Sequence, residues 1–166
     1  NIDLKALIRQ HAGSGAVATM ALVDGPENRV HVRDDGDVCD ILGKLGAAPS
    51  ARSKTLTYTG ISIYSNEILG FLPEKAECFS LVELLLKIIR EKPGSVRAHR
   101  PGNIYWNDIG SLGQYFKAHS DIIIDRKLKM PGARISRNIC IGENSEISRR
   151  AKIHGFVSAG SACRIG

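Results

Sequence analysis

Hydrophobic and polar positions follow two patterns along the first 125 residues. In residues 81–89 the apolar side chains recur three and four positions apart, which predicts a helix that packs one face against a sheet. In residues 55–64 apolar and polar positions alternate, which predicts a strand. Similar patterns predict helices at 3–11, 65–72 and 111–124, and strands at 16–23, 30–32, 38–41, 96–99 and 103–106. The sequence therefore predicts an α/β domain over residues 1–125.

From residue 126 onward the hydrophobic period changes to six. One position is aliphatic in every repeat, at Ile135, Ile141, Ile147, Ile153, Ala159 and Ile165. The position two residues earlier is small or aliphatic, at Ala133, Ile139, Ser145, Ala151, Val157 and Cys163. A period of six is typical of a parallel β-helix, in which three hexapeptides form one coil. We expect an incomplete β-helix at residues 126–166, with further coils or another subunit covering its open end.

Composition and charge restrict the function of the chain. The net charge is +6, but lysine and arginine are scattered and form no basic stripe, so nucleic acid is not an expected partner. The four cysteines lie far apart without a Cys-x-x-Cys pair, which argues against a zinc site or disulfide framework and favours a reducing compartment. Neither a signal peptide nor an apolar run of about 18 residues occurs, so we expect a cytoplasmic protein without a membrane partner.

A candidate site lies in the segment Tyr105-Trp106-Asn107-Asp108-Ile109-Gly110-Ser111. Ser111 and Gln114 form the Ser-x-x-Gln capping box that marks a helix start. Asp108 is therefore expected on a strand-to-helix turn, where α/β proteins place ligand groups. A second interpretation stays open, in which Trp106 is a buried anchor and Asp108 is a solvated turn residue near the positive end of the helix.

Three further positions each have a structural and a functional interpretation. Gly60 interrupts a predicted strand, which indicates either a ligand that approaches the backbone closely or a bulge or tight helix crossing. Ser80 and Glu83 form a second capping box, and this explains both residues without a ligand. The acidic run at residues 34–37 lacks the later ligands of a calcium loop, so we expect a plain hairpin turn.

Taken in order, three motifs resemble the sugar nucleotidyltransferase family. They are Tyr58-Thr59-Gly60-Ile61-Ser62-Ile63-Tyr64, Phe79-Ser80-Leu81 before a leucine-rich helix, and Trp106-Asn107-Asp108-Ile109-Gly110-Ser111 before the next helix. The resemblance covers nearly the whole chain and is nearest to the mannose-1-phosphate guanylyltransferase branch. It implies the carboxyl half of a partial Rossmann-like catalytic domain with a mixed sheet, followed by a short left-handed parallel β-helix.

The resemblance also implies an activity and a set of site residues. Family members join a sugar 1-phosphate to the nucleotide of a nucleoside triphosphate and release pyrophosphate. It implies that Asp108 is a catalytic magnesium ligand and that Thr59 and Gly60 bind the sugar. Ser80 stands near the position where many relatives have a sugar-binding glutamate. GTP and mannose 1-phosphate are the expected substrates, and Mg²⁺ is the expected cofactor.

The sequence departs from the family pattern at its amino end. The glycine-rich nucleotide loop, its lysine and a second metal carboxylate do not occur, and Asn1-Ile2-Asp3 resembles the residues that follow that carboxylate. The chain opens without methionine and stops at Gly166 inside a repeat. We therefore expect a fragment of a longer transferase, inactive by itself because the phosphate-binding loop and half of the metal site are missing.

Two other functions are compatible with the same residues. One is a regulatory or assembly subunit without catalysis, which would explain the missing nucleotide loop. The other is a hexapeptide acyltransferase in which His154, directly after Ile153, acts as a general base. A homo-oligomer is expected in each case, because an open β-helix end and flank favour self-association.

Overall fold

A computed structural model describes residues 2–25, 27, 29–46, 53–74, 78–129 and 132–166. The chain divides into two compact units, an amino-terminal unit that ends at Trp106 and a carboxyl-terminal unit that begins at Asn107. The predicted domains, 1–125 and 126–166, were defined by sequence period rather than by compactness and stay a prediction. The predicted α/β class is confirmed at the coarser level, because the protein combines helices with a curled mixed sheet.

The described residues of the amino-terminal unit form two helices, five strands and a short 3-10 helix at Asn66–Phe71. In chain order its main elements are α1 (Leu4–Ser14), β1 (Ala18–Val23), β2 (Val30–Arg33), β3 (Val38–Ile41), β4 (Ser53–Tyr64), α2 (Leu81–Glu91) and β5 (Val96–His99). Each of these was predicted, with bounds shifted by a few residues. The loop predicted at 43–54 lies partly outside the described residues, and its last two positions belong to β4.

The five strands form one sheet in the order β3-β2-β4-β1-β5. Strand β1 pairs in parallel with β5, and the other neighbours pair antiparallel. The long strand β4 pairs with β2 through its first residues and with β1 through the remainder. The tip of the β2–β3 hairpin reaches β5, where Asp37 pairs with Arg97 and the amide of Ala98 donates to the Gly36 carbonyl at 2.8 Å. This contact curls the sheet.

A continuous aliphatic core stabilises the amino-terminal unit. Every residue of β1 is buried, which fits a strand covered on both faces. Helix α2 buries Leu84, Leu85, Leu86, Ile88 and Ile89 against the sheet. Leu81 was predicted on this face but is 39% exposed at the first residue of the helix. The buried face is therefore centred on the middle and last turns of α2.

Helix α1 begins and ends as its sequence predicts. The Asp3 carboxylate accepts from the amides of Lys5 and Ala6 at 2.9 and 3.1 Å, and Gly15 ends the helix with φ 63°. Leu7 is completely buried. Asp3 therefore satisfies two amides that the helix leaves without internal partners.

The strand predicted at residues 103–106 is wrong, because this segment has no regular secondary structure. Strand β5 already pairs with β1 on one edge, and the hairpin tip occupies the other edge through Asp37 and Gly36. Asp108 therefore follows an irregular segment rather than a strand.

The acidic run is a hairpin turn, as expected. The amide of Gly36 donates to the Arg33 carbonyl at 2.9 Å, and the amide of Asp37 donates to the Asp35 carboxylate at 2.8 Å. Asp37 is buried and pairs with Arg33 at 2.5 Å. Within the described ranges, no three histidine, cysteine or acidic side chains are grouped to hold a metal ion.

Where the structure describes the carboxyl-terminal unit, it has one helix and five short strands. These are α3 (Leu112–Ile123), β6 (Ala133–Ser136), β7 (Ile139–Gly142), β8 (Glu146–Ile147), β9 (Val157–Ala159) and β10 (Arg164–Ile165). Strand β7 pairs in parallel with β9, and β8 with β10. The partners Ile139 and Val157 are eighteen residues apart, as are Ile147 and Ile165. Eighteen residues is the length of three hexapeptides, or one coil of the expected repeat.

Backbone conformation repeats with the same spacing. Asn144 and Ala162 both have φ 57°, and Arg137 and Gly155 have φ 49° and 72°. The buried Ser145 hydroxyl donates to the Gly160 carbonyl at 2.7 Å and accepts from the Cys163 amide at 2.9 Å. Strand β6, in contrast, runs antiparallel to β7, which a purely parallel arrangement does not include.

The described helices include none that is both long and apolar enough to cross a membrane. All four cysteines are free thiols, and Cys140 is buried while Cys78 is exposed.

Candidate functional site

Thr59 and Gly60 form a bulge in the middle of β4. Thr59, Gly60 and Ile61 together lie opposite the single residue Ala21, because the register between β1 and β4 shifts between Met20 and Leu22. Gly60 has φ 84°, a left-handed conformation that strains any residue with a side chain. The bulge interpretation of Gly60 is therefore confirmed.

Side-chain hydroxyl groups before and after Gly60 form hydrogen bonds that stabilise the bulge. The Thr59 hydroxyl donates to the Ala21 carbonyl at 2.8 Å and accepts from the Ile61 amide at 3.4 Å. The hydroxyls of Tyr58 and Ser62 lie 2.5 Å apart across Gly60. Burial raises the pKa of the Tyr58 phenol, so this hydroxyl keeps its proton at neutral pH. The backbone at Gly60 is consequently held in one conformation.

The space beside Gly60 is open. Gly60 is exposed, and a Cβ at this position would meet no atom within 4 Å. No other part of the described chain approaches this face of the glycine. The backbone conformation alone requires a glycine here, while the open side leaves room for an external molecule.

Ser80 stands at the N-cap position of α2, as the capping box predicted. Its side chain makes no capping hydrogen bond, however, and it is exposed. Glu83 lies in the first helical turn, where a carboxylate is favoured by the helix dipole. The predicted position is confirmed, while the predicted capping hydrogen bond of Ser80 is absent.

Asp108 lies three residues before Ser111, the N-cap of α3, and is exposed. The capping box at this helix is formed, because the Gln114 amide donates to the Ser111 hydroxyl at 3.2 Å. The Gln114 side chain in turn accepts from the Gly110 amide at 3.2 Å. Both carboxylate oxygens of Asp108 lie 3.7 Å from the position that a Cβ on Gly110 would take. A Cβ on Gly110 would therefore be in ordinary van der Waals contact with the carboxylate.

The alternative interpretation of this segment is confirmed only in part. Asp108 is exposed, as a solvated turn residue would be, but Trp106 is half-buried rather than fully buried. The predicted site residues also belong to different units. Thr59, Gly60 and Ser80 lie in the amino-terminal unit, and Asp108 lies in the carboxyl-terminal unit.

His154 lies in the segment between β8 and β9 and is exposed. This is the environment expected of an outward polar residue on a coil. The exposure of the imidazole gives no specific support to a general base at this position.

A group of polar residues at the carboxyl ends of β1 and β5 was not predicted from the sequence. Asp24 follows β1 directly, and Arg100 follows β5. Together with Asn103 they line a cavity of about 470 Å³. Their sequence positions after buried strands were the available signal.

Comparison of the chain with protein-family models and with curated proteins finds no significant match. Functional conclusions therefore rest on the residues and the geometry of the chain itself.

Proposed function

We propose that these residues are the carboxyl half of a sugar-1-phosphate nucleotidyltransferase domain. The reaction would join a nucleoside triphosphate and a sugar 1-phosphate into a nucleotide sugar and release pyrophosphate, with GTP and mannose 1-phosphate as the best candidates. The observation that carries the proposal is the bulge at Gly60, whose left-handed φ of 84° places an exposed backbone beside open space. A sugar ring can approach such a backbone without meeting a side chain.

In this proposal the bulge positions the sugar. Gly60 offers its amide and carbonyl, and Thr59 holds the backbone through the Ala21 carbonyl. The exposed hydroxyl of Ser80 would contact a sugar hydroxyl at the position where many family members have a glutamate. A hydroxyl can donate or accept, whereas a carboxylate accepts only, so a different sugar preference follows from this residue.

Asp108 would be the catalytic carboxylate and a ligand of Mg²⁺. An exposed carboxylate fits a cation that keeps several waters and needs only one or two protein carboxylates. Bound Mg²⁺ would neutralise charge on the phosphate groups during transfer. The glycine-rich phosphate loop and a second carboxylate would come from residues outside these 166.

We further propose that residues 126–166 form a left-handed parallel β-helix that joins subunits into a homo-oligomer. Parallel pairing at eighteen-residue spacing supports the β-helix. A role in assembly is supported by the partly exposed short strands, since coils in such repeats stabilise one another through neighbours. The four free thiols support a reducing compartment such as the cytoplasm.

The test is pyrophosphate release by the full-length protein with magnesium, mannose 1-phosphate and each nucleoside triphosphate in turn. We expect Asp108→Asn to lower turnover more than tenfold, which corresponds to about 1.4 kcal/mol of barrier. Asp125→Asn is the matched control, because it removes another exposed carboxylate from the same unit.

A loss of less than about tenfold for Asp108→Asn, or a loss no larger than that for Asp125→Asn, would exclude Asp108 as the metal ligand. Absence of release with every triphosphate would exclude the transferase. A regulatory or assembly subunit would then be the better description of the chain.

A further inference from the structure

Two adjoining cavities, of about 510 and 590 Å³, lie in the described part of the carboxyl-terminal unit. Three residues line both of them, namely Arg134, Ser145 and Glu146. Both volumes fall within the ordinary range for small-molecule sites, roughly 300–1,000 Å³. Strands β9 and β10 pair with β7 and β8 but line neither cavity, so the second coil of the repeat covers neither. A molecule held at the shared residues can therefore contact both cavities.

The first cavity has an aliphatic wall. The wall consists of Ile139 and Ile141 of β7 and Ile147 of β8. All three side chains are only half-buried, so each retains apolar surface that a ligand can cover. Removing such surface from water favours binding. A branched aliphatic group fits this wall.

The second cavity has two opposite charges that do not pair with each other. Arg134 and Glu143 both line it, and neither forms an ion pair with any residue that the structure describes. Arg134 donates through Nη2 to the Ser145 carbonyl at 3.2 Å, which leaves its other guanidinium donors. Glu146, the other carboxylate of this cavity, already contacts Arg164 at 3.9 Å. A ligand can therefore meet one cation and one anion here.

A glycine gives the Glu143 carboxylate its place in this cavity. Gly132 lines the same cavity, and a Cβ at this position would lie 3.2 Å from Oε1 of Glu143. The carboxylate thus lies beside the backbone of Gly132, where a side chain would crowd it. Gly132 also has φ 72°, which strains any other residue.

We propose that the two cavities form one binding site for a free α-amino acid with a branched aliphatic side chain. The carboxylate of the ligand accepts from the Arg134 guanidinium, and its ammonium group donates to the Glu143 carboxylate. The aliphatic side chain lies against the three isoleucines. A zwitterion gives both charges of the cavity a partner, whereas a simple anion or cation would pair with only one of them. The site uses none of the proposed transferase residues and does not depend on that activity.

Calorimetric titration of the full-length protein with leucine and three analogues tests the site. Each analogue lacks one group: 4-methylpentanoate lacks the ammonium group, 3-methylbutylamine lacks the carboxylate, and glycine lacks the side chain. We expect leucine to bind at least tenfold more tightly than each analogue. Any analogue that binds as tightly as leucine would overturn the proposal, and so would the absence of leucine binding at millimolar concentration.

Variants assign the ammonium contact to one side chain. Glu143→Gln should weaken leucine binding at least fivefold and reduce the preference for leucine over 4-methylpentanoate by a similar factor. Glu91→Gln is the matched control, because it removes the same charge from an exposed position at the end of α2 outside both cavities. Asp108→Asn should leave the leucine affinity unchanged, which distinguishes this site from the proposed transferase site. Equal losses for Glu143→Gln and Glu91→Gln would contradict the assignment.

A second copy of the chain is the competing occupant of the two cavities. Titrations at protein concentrations that differ tenfold distinguish the two occupants. We expect the same leucine affinity at each concentration. An affinity that falls as the protein concentration rises would show that a second copy fills the cavities, and the amino acid site would then be wrong.

Discussion

The amino-terminal unit buries a continuous aliphatic core, whereas the strands of the carboxyl-terminal unit are linked by the antiparallel pairing of β6 with β7 and by parallel pairing between segments eighteen residues apart. In the described part of the carboxyl-terminal unit the buried side chains are Ala118, Asp121, Ile123, Cys140 and Ser145. Two of these are polar and each makes hydrogen bonds. The two units therefore depend on different interactions, hydrophobic burial in one and repeated backbone contacts in the other.

The same difference is visible at the glycines. Gly60 in the amino-terminal unit is required for its φ of 84°, and nothing lies beside it. Gly142 in the carboxyl-terminal unit is required for close approach, because a Cβ there would lie 2.6 Å from the Ser161 amide and 2.7 Å from the Gly160 carbonyl carbon. Adjacent segments of the repeat thus pack backbone against backbone at Gly142.

The largest expected effect comes from truncating the core. Leu22 is completely buried, so Leu22→Ala should destabilise the amino-terminal unit by roughly 3–4 kcal/mol through lost burial and a cavity. Ile147→Ala, at a half-buried position of β8, should cost the carboxyl-terminal unit about half as much. Urea unfolding followed by hydrogen exchange on peptides of each unit measures both values.

Equal losses for Leu22→Ala and Ile147→Ala would contradict the comparison. That result would mean that Ile147 is fully covered in the folded protein, as further coils or a second subunit would cover it.

The next effect concerns backbone approach in the repeat. Gly142→Ala should destabilise the carboxyl-terminal unit by about 2 kcal/mol, because the added methyl group overpacks the backbone of the neighbouring segment. Gly160→Ala is the matched control, since a Cβ at Gly160 meets nothing within 4 Å. Hydrogen exchange of the β7 and β9 amides compares the two variants. Similar exchange in both would show that the two segments do not approach closely at Gly142.

The smallest effect is expected from pH. His11 of α1 forms a hydrogen bond with Thr19 of β1, and His99 of β5 forms one with Gln10 of α1, so both link the helix to the sheet. Burial lowers the pKa of both histidines. The pKa of each histidine is therefore lower in the folded protein than in the unfolded chain. As the pH falls, the unfolded chain binds protons at a higher pH than the folded protein does. Stability of the amino-terminal unit is therefore complete above the unfolded pKa of about 6.5 and falls as the pH drops below it.

Thermal unfolding at pH 7 and pH 5 measures this dependence. The double variant His11→Gln and His99→Gln should flatten it between these pH values. Asp37 has the opposite effect on stability at lower pH. Burial raises the pKa of its carboxyl group, so protonation of this group as the pH falls favours the folded protein. An unchanged pH dependence in the double variant would exclude the two histidines as its cause.

Local signals in the sequence predicted most elements of the fold. The cap at Asp3, the capping box at Ser111 and the alternation in β4 act within a few residues, and each element formed where expected. The strand expected at 103–106 did not form, because whether a segment joins a sheet depends on a free edge. The hairpin tip occupies that edge of β5. The sequence of residues 103–106 contains no signal that the edge is already occupied.

The candidate site was predictable to a similar degree. A glycine inside a strand predicts an unusual backbone, and the bulge at Gly60 confirms this. The capping pattern at Ser80 predicts the helix start but not the missing hydrogen bond of its side chain. The cavity beside Arg100 joins residues from distant parts of the chain, so no local pattern indicates it.

The sequence by itself determined where helices begin and end, which face of α2 meets the sheet, and the spacing of the carboxyl-terminal repeat. These features depend on side-chain periodicity, capping and backbone conformation over a few residues. Only the tertiary structure decided the curl of the sheet, the occupied edge of β5 and the convergence of Asp24 and Arg100. These depend on contacts between segments far apart in sequence, which form only when the core brings those segments together.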